Sequence, residues 1–272
     1  MAVAIGMAAG LQNAATCEFL LDAERNFWFL EVNTRLQVEH PVTELVAGLD
    51  IVMEQFWLAA GAPISERAIA ASERAATPTS HAIELRLSAE DPARAFAPTP
   101  GRITRWVMPG GPGIRVDTAV EAGERVPAEY DPLIAKLIAH AADRGTAIAR
   151  LGRALNEIEI GGIQTTVPFD RYVIRHPTFI AGELSTSWVG DHWDAEVERA
   201  RAVEVAQLAA GLAAIQPLPQ GNGAGEGTGA TASVQPASTS DTGASGNGRG
   251  GCAERSVWRT AGRATVVDRW PA

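Results

Sequence analysis

The chain has 272 residues, a formal charge of −9 and a pI near 5.1, with 46% of its residues hydrophobic. That length accommodates a substantial core or two domains, and the acidic balance offers no basic patch to nucleic acid. Cys17 and Cys252 lie far apart with no His/Cys cluster around them, which points to neither a disulfide framework nor a zinc site.

In chain order, Ala2–Ala9 is rich in helix formers and predicts a helix. The stretch Met1–Leu11 is apolar, but it has no basic leader and is too short to span a bilayer, so a soluble cytoplasmic protein with no membrane partner is expected. CEFLLDAERNFWFLEV reads as two apolar strands about a polar turn near Asp22–Asn26. A symmetric hairpin centred between Glu24 and Arg25 places Glu18 opposite Glu31. Asp50–Ala60 predicts a helix capped by Asp50, with Ile51, Phe56 and Leu58 inward.

Residues 63–79 are Ala/Ser/Thr/Pro-rich and charged and read as a connector. Over 80–190 a second, α+β domain is expected. Its first strand alternates Ile83, Leu85 and Leu87 with Glu84, Arg86 and Ser88, and further strands fall at 101–107, 113–119 and 133–139. Asp143–Ile158 carries Ile148, Leu151, Leu155 and Ile158 at helical spacing. An Ala-rich helix is expected over 191–215. Residues 216–255 collapse to Gly, Ala, Ser, Thr, Pro and Gln, the composition of a disordered linker. The tail 256–272 is left unassigned.

The stretch Glu31–Pro41, EVNTRLQVEHP, concentrates the chemistry. At a period of two, Glu31, Asn33, Arg35, Gln37 and Glu39 share one face. A straight strand, rising about 3.3 Å per residue, would spread that set too far for one small ligand. A bend in the second half is therefore predicted, closed by Pro41. Glu18 opposite Glu31 is a like-charge pair, destabilising in a sheet, and a divalent cation such as Mg²⁺ would relieve it. The alternative is a slipped or frayed hairpin whose two glutamates are solvated. The scattered His40, His81, His140, His176 and His192 read as structural, and Lys136 is the single lysine among 23 basic residues.

Glu31–Glu44 resembles the signature near the end of the ATP-grasp domain of biotin carboxylases, the ATP-using component of acyl-CoA carboxylases. HAIELRLSAEDP (81–92), PTPGRITRW, YDPLIAKLI and GGIQTTVPF continue the resemblance in the family's order, through about residue 190. The resemblance implies residues 1–62 as the C-terminal part of an ATP-grasp domain and 80–190 as the biotin carboxylase C-terminal domain. It implies ATP, Mg²⁺ (or Mn²⁺) and biotin as the carried substrate. Glu18, Glu31 and Asn33 match the metal positions, Arg35, Gln37 and Val38 the bicarbonate contacts, and Glu39 the general base. Arg115 matches an arginine that stabilises the biotin enolate. Trp188 falls at a family position near the adenine. Arg86, Glu90, Asp91, Asp131 and Lys136 read as salt bridges and caps.

The implied partners are a biotin carboxyl carrier domain and a carboxyltransferase subunit, with pairing into homodimers common in the family. A glycine-lysine phosphate loop and a Met-Lys biotin motif are both absent from the sequence. That predicts a C-terminal fragment inactive by itself. Two alternatives stand beside it: a non-catalytic assembly piece of a carboxylase, and another ATP-grasp ligase of the carbamoyl-phosphate-synthase type.

Overall fold

A computed structural model describes residues 1–215. The expected linker (216–255) and tail (256–272) lie outside the described residues. Residues 1–193 form one α+β unit.

Helix α1 (Ala2–Ala8) precedes a hairpin of β1 (Thr16–Leu21) and β2 (Phe27–Asn33). The predicted register holds at Glu18↔Glu31 and then slips at a bulge between Glu18 and Phe19, so that Phe19 faces Phe29. The turn is tied by Asp22, whose carboxylate accepts from the Asn26 amide N–H at 2.8 Å and from the Trp28 indole at 2.9 Å. Three helices follow: α2 (His40–Ala47), α3 (Ile51–Ala59) and α4 (Glu66–Ala76). Asp50 caps α3 as expected, accepting from Met53 N–H at 2.8 Å. Phe56, expected inward, is exposed. IVMEQFWLA is apolar at most positions, so its periodicity does not select a face. The stretch read as a connector holds α4, which starts at a Ser65 cap and is fastened to α2 by Arg74 donating to the Ala47 carbonyl at 2.7 Å.

The second region centres on an antiparallel sheet, order β3 (His81–Ser88), β5 (Leu133–Ala141), β4 (Ile114–Thr118). Helix α5 (Arg144–Glu157), capped by Asp143, packs Leu151 and Leu155 against Leu85, Leu87 and Leu137 on one face of this sheet. The predicted strand over 101–107 is interrupted. Gly101–Arg102 pairs with Arg125–Val126 and Arg105–Val107 with Glu159–Gly161, while Ile103, fully buried, turns into the core at the break. Gly162 (φ +97°) permits the crossing, because a Cβ there would collide with the Arg102 carbonyl.

Short helices α6 (Val167–Val173), α7 (Pro177–Ala181) and α8 (Trp188–His192) close the unit. Trp188 is buried against Tyr172, His176 and His192, with its indole donating to Thr178 at 2.7 Å. The helix expected over 191–215 begins later, as α9 (Ala195–Ile215) in the second unit. Asp194 accepts from the N–H groups of Glu196 and Val197, as an N-cap does, and sets the start. No helix among the described residues is long and apolar enough to cross a membrane.

Candidate functional site

The far face of the sheet is polar. Residues directly opposed in an antiparallel pair share a face, so Glu84, Ile138 and Arg115 form one row and Arg86, Lys136 and Asp117 the next. Helix α2 lies over this face. Glu39, at its head, meets Arg86 at 2.8 Å, and the buried Glu44 meets Arg115 at 2.8 Å. The signature therefore bridges the hairpin and the sheet.

Five of the predicted residues form one hydrogen-bonded group. Glu18 and Glu31 stand opposite each other, and the Asn33 amide donates to Oε1 of both, at 2.8 and 2.9 Å. Gln37 donates to the same Glu18 oxygen at 3.1 Å, and Arg35 donates to the Gln37 amide oxygen at 3.3 Å. The chain bends after Asn33 as predicted, and Pro41 sits in the first turn of α2. An N–H₂ group lies between two facing carboxylates, the place where like charges want a positive one. That suits a hard divalent cation, with oxygen donors from Glu18, Glu31 and Asn33. No group of three or more His, Cys, Asp or Glu residues that could enclose a metal occurs among the described residues. Mg²⁺ does not require one, because it is commonly held by one or two carboxylates plus substrate phosphates.

The remaining predicted residues lie at the sheet. The Val38 carbonyl accepts from Lys136 Nζ at 3.1 Å, and Lys136 also reaches Asp117 at 3.3 Å. Glu39 is paired with Arg86, an open contact with the two side chains 54% and 55% exposed. Arg115 is not delivered to Glu39. It grips Asp117 with two donors, at 2.7 and 2.9 Å, and spends a third on Glu44. The Asp117 bonds, with the Glu44 bond behind them, raise the Arg115 pKa against the cost of burial. Burial pushes Asp117 up, and the bonds from Arg115 and Lys136 outweigh it, so the carboxyl stays below its usual range.

Arg86, read from sequence as one member of a structural pair, is thus the guanidinium that faces the expected base. The alternation of β3 in the sequence gives Glu84 no role of its own. Burial pushes its carboxyl up to about 7, countered by Lys136 and Arg86 and assisted by Glu39 and Asp117. A signal for it exists in β5: LIAKLIAHA is apolar at both parities, the mark of a strand covered on both faces. Glu84, directly opposite Ile138 of that strand, is covered along with it. Asp91 does serve as a cap, of a short 3₁₀ turn, accepting from the Ala93 N–H at 2.9 Å, while Asp131 accepts from the Leu133 N–H at 2.8 Å in the turn that enters β5.

Two family models match the chain. Residues 84–191 match the biotin carboxylase C-terminal domain, and residues 1–67 match the ATP-binding domain of the carbamoyl-phosphate synthase L chain. The biotin carboxylase of Halalkalibacterium halodurans is 47% identical over 194 residues, which are 71% of this chain and 41% of that protein. The biotin-dependent acyl-coenzyme A carboxylase alpha3 subunit of Mycobacterium leprae is 41% identical over 189 residues, 68% of this chain and 31% of its own. Among solved structures, the biotin carboxylase domain of Hydrogenobacter thermophilus 2-oxoglutarate carboxylase, a dimer in complex with MgADP, ADP and bicarbonate, superposes with a TM-score of 0.66. It is 39% identical and the match covers 70% of this chain and 41% of that one. The chain spans about two fifths of the length of the first curated relatives it matches. Across residues 1–191, from the paired glutamates of the hairpin to the helices behind the sheet, the chain belongs to the biotin carboxylase family.

Proposed function

We propose that this chain supplies the metal-holding and bicarbonate-holding part of a biotin carboxylase. In that reaction ATP phosphorylates bicarbonate, and the carboxyphosphate formed delivers CO₂ to the ureido nitrogen of biotin on a carrier domain. The observation that carries the reading is the Glu18↔Glu31 register with Asn33 bonded to both carboxylates. These three would hold Mg²⁺ or Mn²⁺, which when bound neutralises charge on the ATP phosphates.

The planar Arg35 guanidinium offers paired donors to the planar bicarbonate anion, and Gln37 and the Val38 backbone add contacts. Glu39 takes the bicarbonate proton. Arg86, in contact with Glu39, is the second guanidinium for the anionic intermediates. It takes the place expected for Arg115, three of whose five N–H donors bond Asp117 and Glu44. The partners of this reading are a biotin carrier domain, a carboxyltransferase subunit and a second copy of the chain.

The test is phosphate release from ATP, with and without bicarbonate and biotin. It is run on this chain mixed with the N-terminal part of a relative that this chain does not match. Bicarbonate-dependent release is expected, falling about 100-fold or more in Glu39→Gln. Release that survives Glu39→Gln removes Glu39 as base, and release indifferent to bicarbonate overturns the reading. Mn²⁺ binding to the chain alone, read by electron paramagnetic resonance, tests the metal group separately: it is expected in the unaltered chain and lost in Glu18→Gln/Glu31→Gln. Binding unaffected by that pair of changes removes the metal assignment.

A further inference from the structure

The polar face of the sheet contains a carboxylate that the proposed reaction does not use. Both oxygens of Glu84 are shielded from solvent and make no hydrogen bond. Among the described residues, the other buried side-chain atom in that condition is Nε2 of His140, a diagonal neighbour on β5. The charges around Glu84 come from every element packed there: Arg86 from its own strand, Lys136 from β5, Asp117 from β4 and Glu39 from the head of α2. Most are committed elsewhere. Lys136 holds Asp117 and the Val38 carbonyl, and Arg115 holds Glu44.

Arg86 differs. Its bond to Glu39 is a single contact at 2.8 Å between two side chains more than half exposed, a kind of pair worth about 0–1 kcal/mol. Two residues away on the same strand face, roughly 7 Å by the strand rise, sits Glu84 with two unfilled acceptor oxygens. An arginine side chain spans that distance by rotation alone.

We propose that Glu84 is a second acceptor for the Arg86 guanidinium, so that Arg86 exchanges between Glu39 and Glu84 and uncovers Glu39 when it turns inward. The proton balance is simple. With Arg86 on Glu39, the half-buried Glu84, its two oxygens shielded from solvent, has no bonded counter-charge and holds a proton up to about pH 7. When Arg86 turns in, Glu84 releases that proton to solvent, and Glu39 is left without its partner and free to accept one. Glu84 is a positioning residue: it acts through Arg86 and touches no reactant. The catalytic meaning of the exchange rests on the reading of Glu39 as base, whereas the exchange is a property of the chain alone and is measured without ATP or bicarbonate.

The test is the titration of the Glu84 side-chain carboxyl by ¹³C NMR in the full chain, in Glu39→Gln, in Arg86→Met and in the double variant. Removing Glu39 also removes a negative neighbour, so the single variant is not decisive and the cycle of four is. Exchange makes Arg86 contact Glu84 when Glu39 is gone. Arg86→Met then raises the Glu84 midpoint more in the Glu39→Gln background than in the otherwise unaltered chain, by about one pH unit or more. Equal increments in the two backgrounds overturn the proposal. If a variant loses its dispersed spectrum, the unaltered chain still decides. The Arg86 Nε–H resonance is expected to move through pH 6–8 in step with Glu84 and to lose that inflection in Glu84→Gln. A resonance flat across that range, or one that keeps its inflection in Glu84→Gln, overturns the proposal.

Discussion

The hairpin β1–β2 and the sheet β3–β5–β4 with α5 use their apolar residues in opposite ways. In the hairpin, Phe27, Trp28, Phe29 and Leu30 are 52–62% exposed, whereas in the sheet and α5 Leu87, Leu137, Leu151 and Leu155 are fully buried. The facing glutamates belong to the hairpin, so their geometry comes from ladder register and local amide bonds. Burial stabilises a different part of the chain. Leu137→Ala is therefore expected to lower the unfolding free energy by about 2–5 kcal/mol, read from urea denaturation. Leu30→Ala should stay within about 0.5 kcal/mol. Similar costs for the two would show that the hairpin is held by packing after all.

Between these extremes lie the ties that cross from α2 to the sheet. Glu44 is buried and has both oxygens filled, one by the Ile51 N–H and one by Arg115, each at 2.8 Å. Arg115→Met strands one of them, and about 2–3 kcal/mol should be lost. That is just below the range of about 3–5 kcal/mol for a fully buried pair, because Arg115 is 35% exposed. Lys136→Met should cost about 1.5–2 kcal/mol by freeing the Val38 carbonyl. Its sharper consequence is local: amide hydrogen exchange over residues 38–42 should quicken while β1 and β2 keep their rates. Unchanged exchange over 38–42 would mean that Lys136 does not hold the signature in place.

How much of this was legible depended on the range of the interaction. The Glu18↔Glu31 pairing, the turn, the bend after Asn33 and the Asp50 cap are decided within a few residues, and the chain shows them directly. Arg115 against Arg86 could not be separated this way. Both are arginines on strands of one sheet face, and only the placement of α2 across that face gives Arg86 to Glu39 and Arg115 to Glu44. Glu84 was lost for the same reason, since strict alternation in β3 suggests a solvated edge until a helix is laid over it. The α4 helix was hidden by composition, although Ser65 followed by Glu66 carries the start signal of a helix.

A pH series separates the regions further. Burial pushes Asp170, which accepts from the Thr166 hydroxyl, up to about 8, and pushes Glu84 up to about 7. Each native carboxyl thus keeps its proton longer than the unfolded chain does, whose ordinary values are 3.8 and 4.5. Their contribution to stability is full below those ordinary values and is lost as pH rises through about 7 and 8. Unfolding followed from pH 4.5 to 8.5 should show declining stability, with a shallower decline in Glu84→Gln and in Asp170→Asn. A slope untouched by either change would place the pH dependence elsewhere.

Among the ties from α2 to the sheet, the smallest effect on stability is expected at Arg86. Its pair with Glu39 is exposed on both sides, so Arg86→Ala should cost less than about 1 kcal/mol, and a double-mutant cycle with Glu39→Ala should give a coupling of the same small size. Weakness here is what the two proposals require: under them, a guanidinium bound firmly to Glu39 could neither release it to bicarbonate nor turn toward Glu84. A coupling of about 2 kcal/mol or more, the range of a desolvated pair, would mean that Arg86 is locked on Glu39. The contact would then be part of the scaffold that joins α2 to the sheet, like the Arg115–Glu44 bond beside it.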